Sequence, residues 1–95
     1  MKIIILGGGS IGGSVATELS TEDNDIVVID NNEANLEPLK SKEGIKTVLG
    51  DATSPRTLSK SNLDEKSLLL CLTDSEEINL LASIIAHAKF DVKKI

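Results

Sequence analysis

The chain has 95 residues, 40% of them hydrophobic and 26% charged, with a net charge of −5; this is the composition of one small globular domain. The acidic balance, with no Lys/Arg cluster interleaved with aromatics, argues against nucleic-acid binding as the main activity. One cysteine and one histidine exclude an intramolecular disulfide and a Cys-cluster metal site, and no apolar run is long enough for a signal peptide or a bilayer span. A lone cysteine fits a reducing, cytoplasmic compartment. Phe90 is the sole aromatic residue, so the core is built from Ile, Leu, Val and Ala, which suits a sheet sandwiched between helices.

Ile3-Ile4-Ile5-Leu6 reads as a buried strand running straight into Gly7-Gly8-Gly9-Ser10-Ile11-Gly12-Gly13. Gly7, Gly9 and Gly12 stand at G-x-G-x-x-G spacing. The first allows a tight turn off the strand, the second lets backbone N–H groups approach a pyrophosphate, and the third lets a helix pack close to the strand. The plainer alternative is a glycine-rich turn that only reverses the chain. A helix is expected from about Ile11 to Ser20, with Ile11, Val15 and Leu19 as its buried stripe. Its first turn carries no acid, so the positive end of its dipole stays open to an anion.

Thr21–Asp25 is a polar turn, and Ile26-Val27-Val28-Ile29 a second strand ending at Asp30. Asn31-Asn32 offers a cap for a helix carrying Leu36 and Leu39. Pro38 predicts that this helix is short, kinked or late in starting. Gly44 ends the segment, Thr47-Val48-Leu49 makes a third strand, and Gly50-Asp51-Ala52-Thr53 follows it. Ser54-Pro55 starts a short helix, serine as cap and proline in the first helical position. Ser61–Lys66 is a polar connection to a fourth strand, Leu68–Leu72. Thr73 and Glu76 have the spacing of a capping box. Asp74, Glu76 and Glu77 make that helix start a poor phosphate site. The last helix, about Ser75 to Lys89, is apolar around most of its circumference, with Asn79, Ser83 and His87 as a narrow polar stripe. One sheet needs a much narrower apolar arc, so a second buried face is expected, against a missing strand or another subunit.

Strand–helix alternation with nearly continuous apolar strands predicts a Rossmann-type three-layer α/β/α domain with a parallel sheet of order 3-2-1-4. Gly7–Gly12, Asp30, Asp51 and Thr73 then surround one crevice at the strand ends. The backbone N–H groups of Ser10 and Ile11 are the expected diphosphate donors. Asp30 comes 18 positions after Gly12, close to the spacing of about 20 for a carboxylate that accepts ribose hydroxyls; the plainer alternative is a helix-cap or turn aspartate. Asn31 and Asn32 follow it with no Arg to receive a 2′-phosphate, which predicts NAD over NADP. Asp51 and Ala52 stand beside the adenine, or Asp51 only braces its own turn. Thr73 reaches the ribose or nicotinamide side, or is only a cap. Asn79 reaches the site or faces solvent. Cys71 is an inert buried thiol within a strand, and His87 is a surface residue or interacts with its helix C-terminus, not a catalytic or metal-binding group.

The set Gly7-x-Gly9-x-x-Gly12, Asp30, Gly50-Asp51-Ala52-Thr53 and Leu72-Thr73-Asp74-Ser75-Glu76-Glu77-Ile78-Asn79-Leu80-Leu81-Ala82 resembles the TrkA N-terminal domain family, related to the RCK or KTN domains. The resemblance covers essentially the whole chain. It implies a Rossmann-type domain that binds NAD(H), with ATP or ADP bound among relatives. It also implies a non-enzymatic regulatory role in Trk potassium uptake and assembly into homodimers or higher homo-oligomers. Docking would be onto a membrane potassium-translocating subunit, at the cytoplasmic face and without insertion into the membrane. Ser61-Asn62-Leu63 departs from the small residues, such as Ala-Gly, usual in the family. The chain stops at Lys93-Lys94-Ile95, where the family's fifth strand begins, so a truncated fragment is expected. The residues themselves leave three readings: a ligand-sensing regulatory domain, the cofactor-binding part of an NAD-dependent dehydrogenase, and an assembly module with a vestigial site.

Overall fold

The computed structural model describes Met1–Ile95. Its four strands, β1 (Lys2–Leu6), β2 (Asp25–Asp30), β3 (Ile45–Leu49) and β4 (Leu68–Cys71), form one parallel sheet in the order β3-β2-β1-β4, as the alternation predicts. Four helices connect and flank them: α1 (Ser10–Leu19), α2 (Glu33–Leu36), α3 (Pro55–Lys60) and α4 (Glu76–Phe90).

Successive strand side chains point to opposite faces, and both faces are covered. Ile3, Ile5, Ile26 and Val28 pack with Ala16 of α1 and with Leu36 and Leu39. Ile4, Leu6, Val27 and Ile29 pack with Leu58 of α3 and with Ala82 and Ala86 of α4. This explains why the strands read as unbroken apolar runs. Each Ile, Leu or Val side chain so buried contributes about 1.5–3 kcal/mol relative to exposure. The chain builds outward through β1, β2 and β3, then returns past the first strand to β4. The order therefore reverses between β1 and β4, where open α/β sheets bind ligands.

Several local expectations change. The buried positions of α1 are Gly12 and Ala16, with Val15 and Leu19 half-buried, whereas Ile11 is 68% exposed. Helical spacing identifies the correct side of α1, but Ile11 lies at its very start, where the helix overhangs the sheet. The Thr73–Glu76 capping box does not form. Ser75 is the N-cap of α4 and its Oγ accepts from Ile78 N at 3.2 Å. β3 begins at Ile45, which pairs with Ile26, ahead of the expected Thr47. The Ser61–Lys66 connection is not wholly exposed, since Ser61 and Leu63 are buried, the serine hydroxyl donating to Leu58 O at 2.6 Å.

Other expectations hold. Asn32 caps α2 through Oδ1, accepting from Ala34 N at 3.0 Å. Pro38 limits α2 to one turn, and the chain tightens into a 3-10 turn over Glu37–Leu39, because proline cannot donate to a preceding carbonyl. Ser54 caps α3 with Pro55 at its first position. Asn62 has φ +60°, a conformation that asparagine tolerates better than most residues. His87 is exposed and sets Nδ1 against Val92 O at 3.2 Å, beyond the end of α4, so it is a surface residue and not a partner of the helix's last carbonyls. Cys71 is half-buried and not fully enclosed, and that burial still pushes its thiol pKa up, away from reactivity. Past α4, Lys94 bridges Leu68 in parallel on the open side of β4.

Candidate functional site

A crevice of about 570 Å³ lies across the C-terminal ends of the strands, within the range of small-ligand sites. The end of β1 contributes Gly7, Gly9, Ser10 and Ile11. The end of β2 contributes Ile29, Asp30, Asn31 and Asn32, with Asn35 from α2. Gly50, Asp51 and Ala52 come from the end of β3, and Leu72, Thr73 and Asp74 from the end of β4, with Ile78 of α4. Of the candidates named from the sequence, all line this crevice except Gly12 and Asn79.

Gly12 acts from beneath. A Cβ there would stand 1.8 Å from Gly7 O, so only glycine lets α1 start this close to the strand end. Gly7 has φ +104°, and a Cβ on it would meet Leu72 O at 2.8 Å. Around Gly9 nothing lies within 4 Å of the equivalent position. The three glycines thus divide the work that their spacing predicts: turn, open approach, close packing.

Helix α1 starts without protein partners. Its N-cap is Gly9, which has no side chain to cap with, and the first turn holds no acid. The first intrahelical donor is Gly13 N, to Gly9 O at 2.8 Å, and the N–H groups of Ser10 and Ile11 make no hydrogen bond within the chain. Such donors at a helix start, backed by the dipole, form an anion site. Ile11 flanks them and lines the crevice.

Asp30 is fixed by three donors. Its Oδ2 accepts from Gly8 N at 2.7 Å and Asn35 Nδ2 at 3.1 Å, and its Oδ1 from Asn32 N at 2.8 Å. The carboxylate therefore braces the glycine loop while standing at the crevice edge. Asn35 was not legible as a site residue; its only signal is its position five residues after Asp30, in the first turn of α2. Asp51 Oδ1 accepts from Thr53 N at 2.8 Å and Thr53 Oγ1 at 2.7 Å. Those bonds, the backbone one first, hold its carboxyl below the usual carboxylate range. Asp51 is thus a turn aspartate that also lines the crevice. Ala52 is buried between crevice and core.

Thr73 is held from α4. Asn79, half-buried and not turned out to solvent, bonds to it three times: Thr73 N to Oδ1 at 3.1 Å, Thr73 Oγ1 to Oδ1 at 2.6 Å, and Nδ2 to Thr73 O at 3.1 Å. No Lys, Arg, His or Tyr lines the crevice, while Asp30, Asp51 and Asp74 do.

The family model for the TrkA-N domain matches residues 3–95. The chain belongs to the TrkA-N domain family. Among curated relatives, this TrkA-N domain is 38% identical over 90 residues to the Trk system potassium uptake protein TrkA of Halomonas elongata and 37% over 91 residues to that of Haemophilus influenzae. These alignments take in 95% and 96% of the chain but 20% of each relative. The TrkA homolog of Pyrococcus abyssi is 33% identical over 86 residues, 90% of the chain and 38% of the relative. Two solved structures share the fold. The oxidoreductase ylbE of Lactococcus lactis superposes with a TM-score of 0.74 at 24% identity, over 99% of this chain and 46% of that one. The UDP-Glc/GlcNAc 4-epimerase of Campylobacter jejuni gives 0.72 at 19%, over 96% and 34%. At such identities the likeness concerns the fold alone. No helix of this domain is long and apolar enough to cross a membrane.

Proposed function

We propose that this TrkA-N domain is a nucleotide-sensing regulatory domain of a Trk-type potassium uptake system, with NAD(H) as its preferred ligand. The observation that carries this is the pairing of unpartnered N–H groups at the start of α1 with the fixed carboxylate of Asp30 on the same crevice. The first suits a diphosphate and the second a ribose diol. Backbone dipoles, with no lysine or arginine, have to carry the phosphate charge, beside three carboxylates. Such a site favours the two charges of a dinucleotide diphosphate over a triphosphate or an added 2′-phosphate. ADP and ATP rank below NAD(H), and NADPH last.

The crevice brings no histidine, cysteine, lysine or tyrosine to a reacting position, which supports a binding role over catalysis. Regulation then follows from different nucleotide affinities in two states of the assembled system, coupled to a membrane potassium-translocating partner at the cytoplasmic face. Leu80, Leu81 and Ile84, 64%, 48% and 55% exposed on one side of α4, form the apolar face expected from the sequence. We assign it to a homo-oligomer contact.

Calorimetric titration with NADH, NAD, ADP, ATP and NADPH tests the ligand. NADH is expected to bind at least about tenfold more tightly than NADPH, a difference of ~1.4 kcal/mol, and Asp30→Ala to remove most of that preference. Equal affinities, or no binding by any of the five, would overturn the proposal.

A further inference from the structure

Beyond Leu72 the sheet no longer supplies partners to the chain leaving β4. Leu72 N donates to Leu6 O at 2.8 Å, and β1 then turns away at Gly7. Thr73 would be left with an unpaired N–H and C=O beside the crevice. The Asn79 carboxamide takes both, accepting from Thr73 N and donating to Thr73 O. A carboxamide carries an acceptor and a donor side by side, so it replaces the peptide group that a continuing strand would offer. Its Oδ1 also accepts a hydrogen bond from the Thr73 hydroxyl, while that hydroxyl accepts from Ser75 N at 3.2 Å. Every polar group of Thr73 is therefore tied to the start of α4. The same peptide stands against the glycine loop, since a Cβ on Gly7 would lie 2.9 Å from Thr73 N.

We infer that Asn79 is a positioning residue for ligand binding: it holds the Leu72–Thr73 wall against which the second half of a dinucleotide rests. This inference rests on the nucleotide reading above. Asp30, Asn31, Asp51 and Ala52 lie at the β2–β3 end of the crevice, and Leu72 and Thr73 at the β4 end, with the glycine loop between. A mononucleotide diphosphate fills the first end and the loop; a dinucleotide also needs the β4 wall. Asn79 therefore acts on the difference between the two ligands.

The test is calorimetric titration of NADH and ADP against the wild-type chain, Asn79→Asp and Asn79→Leu, with thermal unfolding and amide exchange on the same samples. Asn79→Leu is expected to weaken NADH about tenfold and Asn79→Asp, which keeps the acceptor but loses the donor, by about threefold, with ADP within about twofold throughout. The Thr73 amide is expected to exchange at least about tenfold faster in Asn79→Leu, while the Leu72 amide keeps its protection. If Asn79→Leu does not fold, the Asp variant carries the same comparison. Unchanged NADH affinity, or NADH and ADP weakening together, would overturn the inference. Wild-type chain that binds neither nucleotide defeats the nucleotide reading and the ligand role of Asn79 with it. Thr73 exchange then decides the clamp alone, and an unaltered rate defeats that too.

Discussion

Helices α1 and α4 start at the same level of the fold, at the ends of the adjacent strands β1 and β4, and they start in opposite ways. Helix α1 follows Gly9, carries no acid in its first turn and leaves N–H groups unpartnered. Helix α4 is capped by Ser75 and loaded with Glu76 and Glu77. Both dipoles point their positive ends toward one crevice, and only one is left for a ligand. The fold provides two comparable positions; local sequence decides which keeps free N–H donors and which is closed off by the protein itself.

That contrast can be broken at three places, from the largest expected effect to the smallest. Gly12→Ala forces a Cβ to within 1.8 Å of Gly7 O, so α1 has to move off β1. A loss of at least about 3 kcal/mol in unfolding free energy is expected, read by denaturant titration; a change below 1 kcal/mol would mean that the close approach is not needed. Ser10→Glu gives α1 the acid that α4 already has. Stability is expected to rise by about 0.3–1 kcal/mol while NADH affinity falls at least about tenfold, opposite signs from one substitution. Should both quantities rise, the phosphate does not sit at this helix start. Ser75→Ala uncaps α4 in turn, with an expected cost of about 1 kcal/mol and a drop of about 4–8 °C in melting temperature. Nucleotide affinity is expected to stay within twofold, because the acids of α4 remain; a larger change would show that the two helix starts are not independent.

Much of this arrangement is legible in the sequence because it is local. The glycine spacing, the absence of acid after it and the position of Asp30 at a strand end depend on a few adjacent residues. So do the Ser54-Pro55 start and the short helix around Pro38. Choices between near-equivalent residues are not legible. Thr73 and Ser75 are both good caps, and Ser75 takes the role because Thr73 is already bound to Asn79. Ile11 fits the apolar period of α1 as well as Val15 does, yet the period carries no information on where the sheet ends beneath the helix.

The sequence alone determined the parallel α/β architecture, because unbroken β-branched runs alternating with amphipathic segments bury both faces in one arrangement. It also determined which helix start is free, because capping and charge in a first turn are properties of contiguous residues. Only the tertiary structure decided that Asp30 braces the glycine loop through Gly8, that Asn35 shares its carboxylate, and that Asn79 completes the end of β4. Each of these joins groups from different elements, and hydrogen bonds of that kind depend on distances set only when the layers pack.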